Sequence, residues 1–283
     1  MAQTILSVLT WSKGLLKAQA IDSFRIDAEL LLAHILGVRR TDLIIHRDRP
    51  LTEQELDEYQ KLIARRIKRE PIAYIIGAKE FFGRVFQVNP HVLIPRPETE
   101  ALVEHAVSDA PKEGVALEIG VGSGAVIVTL LCERRDLIAY GNDISAQAVK
   151  TARSNARTHG VSDRLHLFVG DALSALKTTF SLILANPPYI AVSEASSIDD
   201  DVVLYEPLDA LFGGKDGLDI VKEIISESPR YLVSGGMLIM EVGHGHKDTV
   251  DRLIASREGL KVMNWVNDLA GIPRTVVIER VHG

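Results

Sequence analysis

From Val115 to Arg280, short apolar runs alternate with longer amphipathic stretches, and this alternation restricts the fold more than any other feature of the 283-residue chain. VALEIG reads as a first strand, followed by a helix over AVIVTLLCER. LIAYGND reads as a second strand, after which Ser145 caps a helix to about His159. LHLFVG leads a third strand to Asp171, and SLILAN forms a fourth. A long loop over about 191–217 and a helix to Leu232 come next. MLIMEV, a helix near 247–256, LKVMNWV and TVVIER complete the series. Strands alternating with helices predict an α/β fold, a parallel sheet with helices on both faces.

The fourth strand runs directly into Asn186-Pro187-Pro188-Tyr189. The prolines end it, because each fixes φ near −65° and lacks an N–H, and Pro187 also pushes Asn186 out of the helical region. The product is a stiff loop at a strand's C-terminal end. It holds one carboxamide, backbone carbonyls with few local donors, and an aromatic ring. Such a loop suits a small planar group that carries an NH2.

The turn after the first strand is GVGSG, made of Gly120, Val121, Gly122, Ser123 and Gly124. Glycines there let a ligand approach the backbone closely. Asp143 lies 21 residues after Gly122 at the end of the second strand, followed by Ile144, where an acid in such folds binds ribose hydroxyls. Asp171 and Ala172, ending the third strand, are placed to edge an adenine. Glu118, a carboxylate inside a buried strand, needs a partner. Adenosine is common to dinucleotides and S-adenosylmethionine. Two points favour the latter: EIGVGSG lacks the GxGxxG spacing of the dinucleotide fingerprint, and hydride transfer has no need of NPPY.

Residues 1–77 have no strand pattern and read as a small helical bundle. Leu6, Leu9, Leu15 and Leu16 suggest a first amphipathic helix, Gly37 ends a second, and Thr52 with Glu55 forms a capping box that opens a helix to about Arg69. Lys61, Arg65, Arg66, Lys68 and Arg69 on that helix read as a solvated face, as does the Asp199, Asp200, Asp201 run. Residues 78–95 are β-rich, with Asn89-Pro90 between apolar positions, and read as a linking hairpin. Pro97 and Glu98 then suit a helix start. Net charge is +2 over residues 1–77 and −8 over the remainder, without the basic excess of a general nucleic-acid binder. No apolar run reaches 18 residues, the N-terminus lacks signal-peptide character, and Cys132 is the sole cysteine, so a cytoplasmic protein with no membrane partner is expected. Cys132 reads as packing, and His244 and His246 without a third ligand do not read as a metal site.

EIGVGSG, Asp143 and NPPY together resemble the class I S-adenosylmethionine-dependent methyltransferases. More closely, the chain is similar to the release-factor glutamine methyltransferases through EPIAYIIGAKEFFG (70–83), VLIPRPETEALVE (92–104), EPLDALFGGKDGL (206–218) and DLAGIPR (268–274). Glu118 and Val121 depart mildly from that family's usual Asp and GTGSG. The resemblance implies a helical N-terminal substrate-docking domain (1–77), a β-hairpin linker (78–95) and a seven-stranded methyltransferase domain (96–283). It implies S-adenosyl-L-methionine as cofactor, S-adenosyl-L-homocysteine as product, and class 1 peptide chain release factors as protein substrate, methylated on the GGQ glutamine. Direct nucleic-acid binding is not expected. On that reading Glu118, the five turn residues, Asp143, Ile144, Asp171, Ala172 and Asn186 hold the cofactor. Asn186 Oδ1 and the Pro187 carbonyl accept the two substrate amide protons, within a grip formed by Asn186, Pro187, Pro188 and Tyr189, and Tyr189 packs on the glutamine. A ribosomal-protein glutamine, or an adenine-N6 or guanine-N2 amine in nucleic acid, is the competing substrate, and a non-catalytic module that docks on release factors is the competing role.

Overall fold

The computed structural model describes residues 3–171, 173 and 178–281, so Ala172 lies outside the described residues. The chain divides into two compact units, Met1–Gly77 with Asp199–Tyr205, and Ala78–Ile198 with Glu206–Gly283. The return of seven residues from beyond the NPPY loop to the first unit has no counterpart in the sequence reading.

The first unit holds α1 (Ile5–Ala18), α2 (Phe24–Leu36), α3 (Arg40–Ile45), α4 (Glu53–Ile67) and α5 (Ile72–Ile76). The buried stripe of α1 is Ile5, Val8, Leu9, Ser12 and Leu16, which keeps the 3.6-residue period; Leu6 and Leu15, expected on it, are exposed. Gly37 ends α2 at φ +62°, and the capping box forms, with Thr52 N donating to Glu55 Oε2 and Glu55 N donating to Thr52 Oγ1. The basic stretch of α4 is not a solvated face throughout. Arg66 is 6% exposed, donating from Nε to Asp27 Oδ2 at 2.7 Å and from Nη1 to Asp201 Oδ2 at 2.5 Å. Arg65 pairs with Glu70, and Arg69 donates to the Gln19 and Ala20 carbonyls. Only Lys61 and Lys68 of the five are exposed. The acidic run is corrected with it, since Asp201 is a partner of Arg66 and Arg69.

The second unit opens with a hairpin, β1 (Ala78–Phe81) and β2 (Arg84–Gln87), which closes at Phe82-Gly83 rather than at Asn89-Pro90. Phe82 and Gly83 have φ of +51° and +67°, the signs a type I′ hairpin turn requires at both central positions. Phe82 N is held by Glu100 Oε1. Asn89 instead turns the chain locally, its Oδ1 accepting from His91 N, and Val92 and Ile94 are buried without joining a strand.

Then follow α6 (Glu100–Asp109), β3 (Gly114–Ile119), α7 (Ala125–Glu133), β4 (Leu137–Asp143), α8 (Ala146–Thr158), β5 (Leu165–Val169) and β6 (Phe180–Ala185). After α9 (Asp200–Tyr205), which belongs to the first unit, come α10 (Asp219–Tyr231), β7 (Leu232–Glu241), α11 (Lys247–Ala255), β8 (Leu260–Asn267) and β9 (Pro273–Arg280). Seven strands form one sheet in the order β5-β4-β3-β6-β7-β9-β8, with β9 antiparallel to both neighbours. Side-chain alternation divides the core. Ala116, Leu182 and Leu184 pack with Leu102, Val128 and Ala156 of α6, α7 and α8. Leu117, Ile183 and Ala185 pack with Ile224 and Val250 of α10 and α11. A sheet covered on both faces demands apolar runs such as Val115 to Leu117 in β3 and Leu182 to Ala185 in β6. Cys132 packs at the edge of the first of these clusters.

Candidate active site

Strand order places the reversal of winding between β3 and β6, where open α/β sheets bind ligands beyond the strands' carboxyl ends. The register brings the functional residues to that end. Ile119 pairs with Asn142 and with Ala185, Asp143 pairs with Val169, and Ala185 pairs with Met240. Gly120, Asp143, Val169, Asn186 and Glu241 therefore stand in a row, with Gly170 one residue beyond it. A cavity of about 490 Å³ opens there, lined by Glu118, Gly120, Val121, Gly122, Ser123, Asp143, Ile144, Asp171, Asn186, Pro187 and Pro188 together with Phe81, Val92, Leu93, Phe212 and Ile220. Its size suits a cofactor-sized ligand. Of the expected site residues that are described, Gly124 and Tyr189 do not line it.

The glycine turn is held from below. Gly120 N and Val121 N both donate to the Asn142 carbonyl at 2.9 Å. Gly122, at φ +51°, donates its N–H to Asp143 Oδ2, while Asp143 Oδ1 accepts from Ser145 N, each at 2.9 Å. A Cβ at Gly120 or Gly122 would meet no atom of the chain, so these glycines serve backbone conformation and leave the cavity wall bare. Gly124 has a packing role: at φ +80°, a Cβ there would stand 3.2 Å from the Ala152 backbone, so its absence lets α7 start against α8. Each Asp143 oxygen keeps a further lone pair for a ligand hydroxyl. Burial pushes the Asp143 carboxyl above its ordinary value despite both backbone bonds. Glu118 finds its partner in the first turn of α7, accepting from Ile127 N at 3.1 Å. Its complete burial, with the charge of Asp143 nearby, holds it well above the usual carboxylate range.

Asn186 donates from Nδ2 to Thr99 Oγ1 at 3.1 Å. Thr99 Oγ1 donates to Glu241 Oε2 at 2.7 Å, and the Tyr189 hydroxyl donates to Glu241 Oε1 at 3.1 Å. Tyr189, expected against the substrate, is thus turned onto Glu241. Burial and that neighbouring carboxylate raise its pKa, so it stays a donor. Behind the loop the chain lies close on itself. Ile190 N donates to Leu211 O and Gly213 N to Ile190 O, and a Cβ at Gly213 or Gly217 would come within 2.3 Å of the Pro188 or Tyr189 carbonyl. The rim is tied by Glu206, which accepts from Ile94 N at 3.0 Å and pairs with Arg96 at 2.5 Å.

Thr99, Glu241, Arg96 and Glu206 were missed as site residues. Glu241 carries the same signal as Glu118, an acid within an apolar strand. The glycines of FGGKDG signalled a close backbone approach.

The glycine turn, the acids at the end of β4 and just beyond β5, and NPPY at the switch point of a seven-stranded sheet define a class I S-adenosylmethionine-dependent methyltransferase. The fold matches a methyltransferase from Pyrococcus furiosus (TM-score 0.55, 18% identity, 77% of this chain and 98% of that one) and the ribosomal protein L11 methylase of Lactobacillus delbrueckii subsp. bulgaricus (TM-score 0.53, 16% identity, 72% and 90%). Residues 7–77 match the PrmC N-terminal domain, and residues 97–203 the methyltransferase small domain. Release factor glutamine methyltransferases of Geobacter sulfurreducens and Nitratidesulfovibrio vulgaris are 40% and 41% identical, over 96% and 98% of this chain and 95% of each relative. The chain belongs to the release factor glutamine methyltransferase family. It is an S-adenosylmethionine-dependent protein-glutamine methyltransferase. Among the described residues, no helix is long and apolar enough to cross a membrane.

Proposed function

We propose that the chain methylates the side-chain amide nitrogen (N5) of the glutamine in the GGQ motif of class 1 peptide chain release factors. One observation carries the assignment of roles: Asn186, at the cavity wall, donates from its NH2 to Thr99, which leaves its Oδ1 as an acceptor without a partner among the described residues.

S-adenosyl-L-methionine, when bound, supplies a methyl group made electrophilic by the attached sulfonium. The residues present fit it. The bare glycine turn would admit part of the cofactor close to the backbone, Asp143 would offer lone pairs to ribose hydroxyls, and Ile144 and Asp171 would border the base. The substrate nitrogen is a poor nucleophile, because its lone pair is delocalised into the carbonyl. Asn186 Oδ1 and the Pro187 carbonyl each accept one amide proton, which fixes the amide plane and aims its out-of-plane density at the methyl. Positioning of this kind supplies roughly 7–11 kcal/mol in favourable cases. Both acceptors also stabilise the positive charge that grows on N–H as the bond to carbon forms. No strong base is needed, since the proton leaves after transfer. With Tyr189 engaged elsewhere, the aliphatic part of the glutamine falls to apolar lining such as Leu93 and Phe212.

The helical unit is proposed as the docking element for the folded release factor. Mass spectrometry of a purified class 1 release factor incubated with enzyme and cofactor tests the whole reading. The expected result is one added methyl on the GGQ glutamine. Methyl recovered only on a ribosomal protein or on nucleic acid overturns it.

A further inference from the structure

We infer that Thr99 and Glu241 are positioning residues for the methyl transfer, holding Asn186 through a one-directional hydrogen-bond chain that passes the charge of Glu241 to the Asn186 carbonyl oxygen. The inference rests on the reading of Asn186 as an acceptor of the substrate amide.

The direction of the chain follows from donor inventory. An ionised carboxylate can only accept, so the single Thr99 hydroxyl proton is committed to Glu241 Oε2, at the short 2.7 Å distance of a charge-assisted bond. The Thr99 oxygen can then only accept from Asn186, and only the NH2 end of the carboxamide can donate. This matters because a carboxamide is nearly symmetric in shape. Without the hydroxyl, Asn186 can turn over and present its NH2 to the substrate's NH2, donor against donor.

The chain also carries charge. Glu241 is 1% exposed and receives two hydroxyls, from Thr99 and Tyr189. Successive hydrogen bonds polarise one another in a low-dielectric interior, which makes Asn186 Oδ1 a stronger acceptor. The substrate's N–H protons are most positive in the transition state, so the gain falls on turnover rather than on ground-state binding. An uncharged side chain would fill the Glu241 position without burying a carboxylate.

The groups facing Glu241 are Thr99 and Tyr189, Arg274 from β9, and Glu98 beside Thr99. Burial is the largest influence and raises the Glu241 pKa, Glu98 adds to the rise, and the two hydroxyls and Arg274 oppose it. As pH falls through that raised value, Glu241 takes up a proton, loses its charge and gains the ability to donate toward Thr99. Turnover therefore has an acid limb that belongs to Glu241.

The test is single-turnover methylation of a purified release factor by the full-length protein across pH, with cofactor affinity measured calorimetrically in parallel. Thr99→Val, isosteric without the hydroxyl, is expected to slow turnover about tenfold with unchanged cofactor affinity. Thr99→Ser is expected to restore most of the rate. Glu241→Gln is expected to slow turnover and to lose part of the acid limb that the parent shows. Equal loss in Thr99→Ser and Thr99→Val overturns the inference, because then the methyl packing of Thr99 is what matters. So does parental turnover in Thr99→Val when Asn186→Ala is slowed, an outcome that leaves the reading of NPPY standing. Parental turnover in Asn186→Ala removes that reading and the inference with it. If Glu241→Gln does not fold, the Thr99 pair decides alone.

Discussion

Replacing Asn186 by Asp tests the reading of the NPPY loop most directly. The change preserves shape and keeps an oxygen where the substrate amide would bind. What it removes is the NH2 that donates to Thr99 Oγ1 over 3.1 Å. Two oxygens without a proton between them would then face each other, unless Thr99 turns its own proton away from Glu241. Either way one buried acceptor loses its donor, at about 1–3 kcal/mol. Because Thr99 is 4% and Glu241 1% exposed, water does not readily make good the loss. If the whole amount appears in the barrier, turnover falls about 5- to 150-fold. The new carboxylate also sits one hydroxyl away from Glu241, and two like charges so close raise the pKa of one of them. The variant should recover rate as pH is lowered, where it takes up a proton and regains a donor. That slope is opposite in sign to the acid limb expected of the parent. Single-turnover methylation over a pH series, with cofactor affinity measured alongside, separates chemistry from binding. Parental turnover at neutral pH would mean that Asn186 merely ends β6, and the assignment of its oxygen to the substrate amide would fall.

Asp143→Ala removes the acceptor for Gly122 N and Ser145 N as well as the candidate ribose contact, and bonds to a charged group are each worth roughly 1.5–3 kcal/mol. Cofactor affinity should drop at least tenfold by calorimetry, and an unchanged value would take Asp143 out of the site. Arg66→Met leaves Asp27, 4% exposed, without its cation, a loss of about 3–5 kcal/mol for a broken buried pair. A melting temperature equal to the parent's would show that the cluster contributes nothing. Glu118→Gln bears on pH. The folded pKa of Glu118 is raised, so its contribution to stability is intact below the ordinary carboxylate range and is lost as pH rises toward the folded value. Gln keeps an acceptor for Ile127 N and does not ionise. The variant should match the parent in acid and exceed its stability at neutral pH, and a variant less stable than the parent at neutral pH would contradict this account.

The second unit was legible because its sheet is covered on both faces. Burial on both sides forces runs such as Leu182 to Ala185, and the prolines and glycines that end them mark the loops where ligands bind. The hairpin turn was not legible, since Phe82 gives no hint that it adopts φ +51°; the conformation is supported by Glu100, eighteen residues along. Local charge counting failed on α4 for a related reason. Arg66 is defined by Asp27 and Asp201, 39 and 135 positions away, and no window of sequence contains all three. Tyr189 was placed in the site by adjacency to Asn186, yet its orientation is decided by Glu241 on the neighbouring strand. Residues that act through a partner strand are visible only once the register is known.

The segment Asp199–Tyr205 makes the helical unit inseparable from the gene that follows it. A chimaera of two relatives joined after Gly77 would draw Arg66 from one parent and Asp201 and Tyr205 from the other. Yet Arg66 pairs with Asp201, and the Tyr205 hydroxyl donates to the Lys68 carbonyl. Recombination at the apparent boundary therefore breaks matched sets, while a double exchange that also carries residues 199–205 keeps them. Inheritance of the two stretches is tied together, although they lie more than a hundred residues apart in the chain.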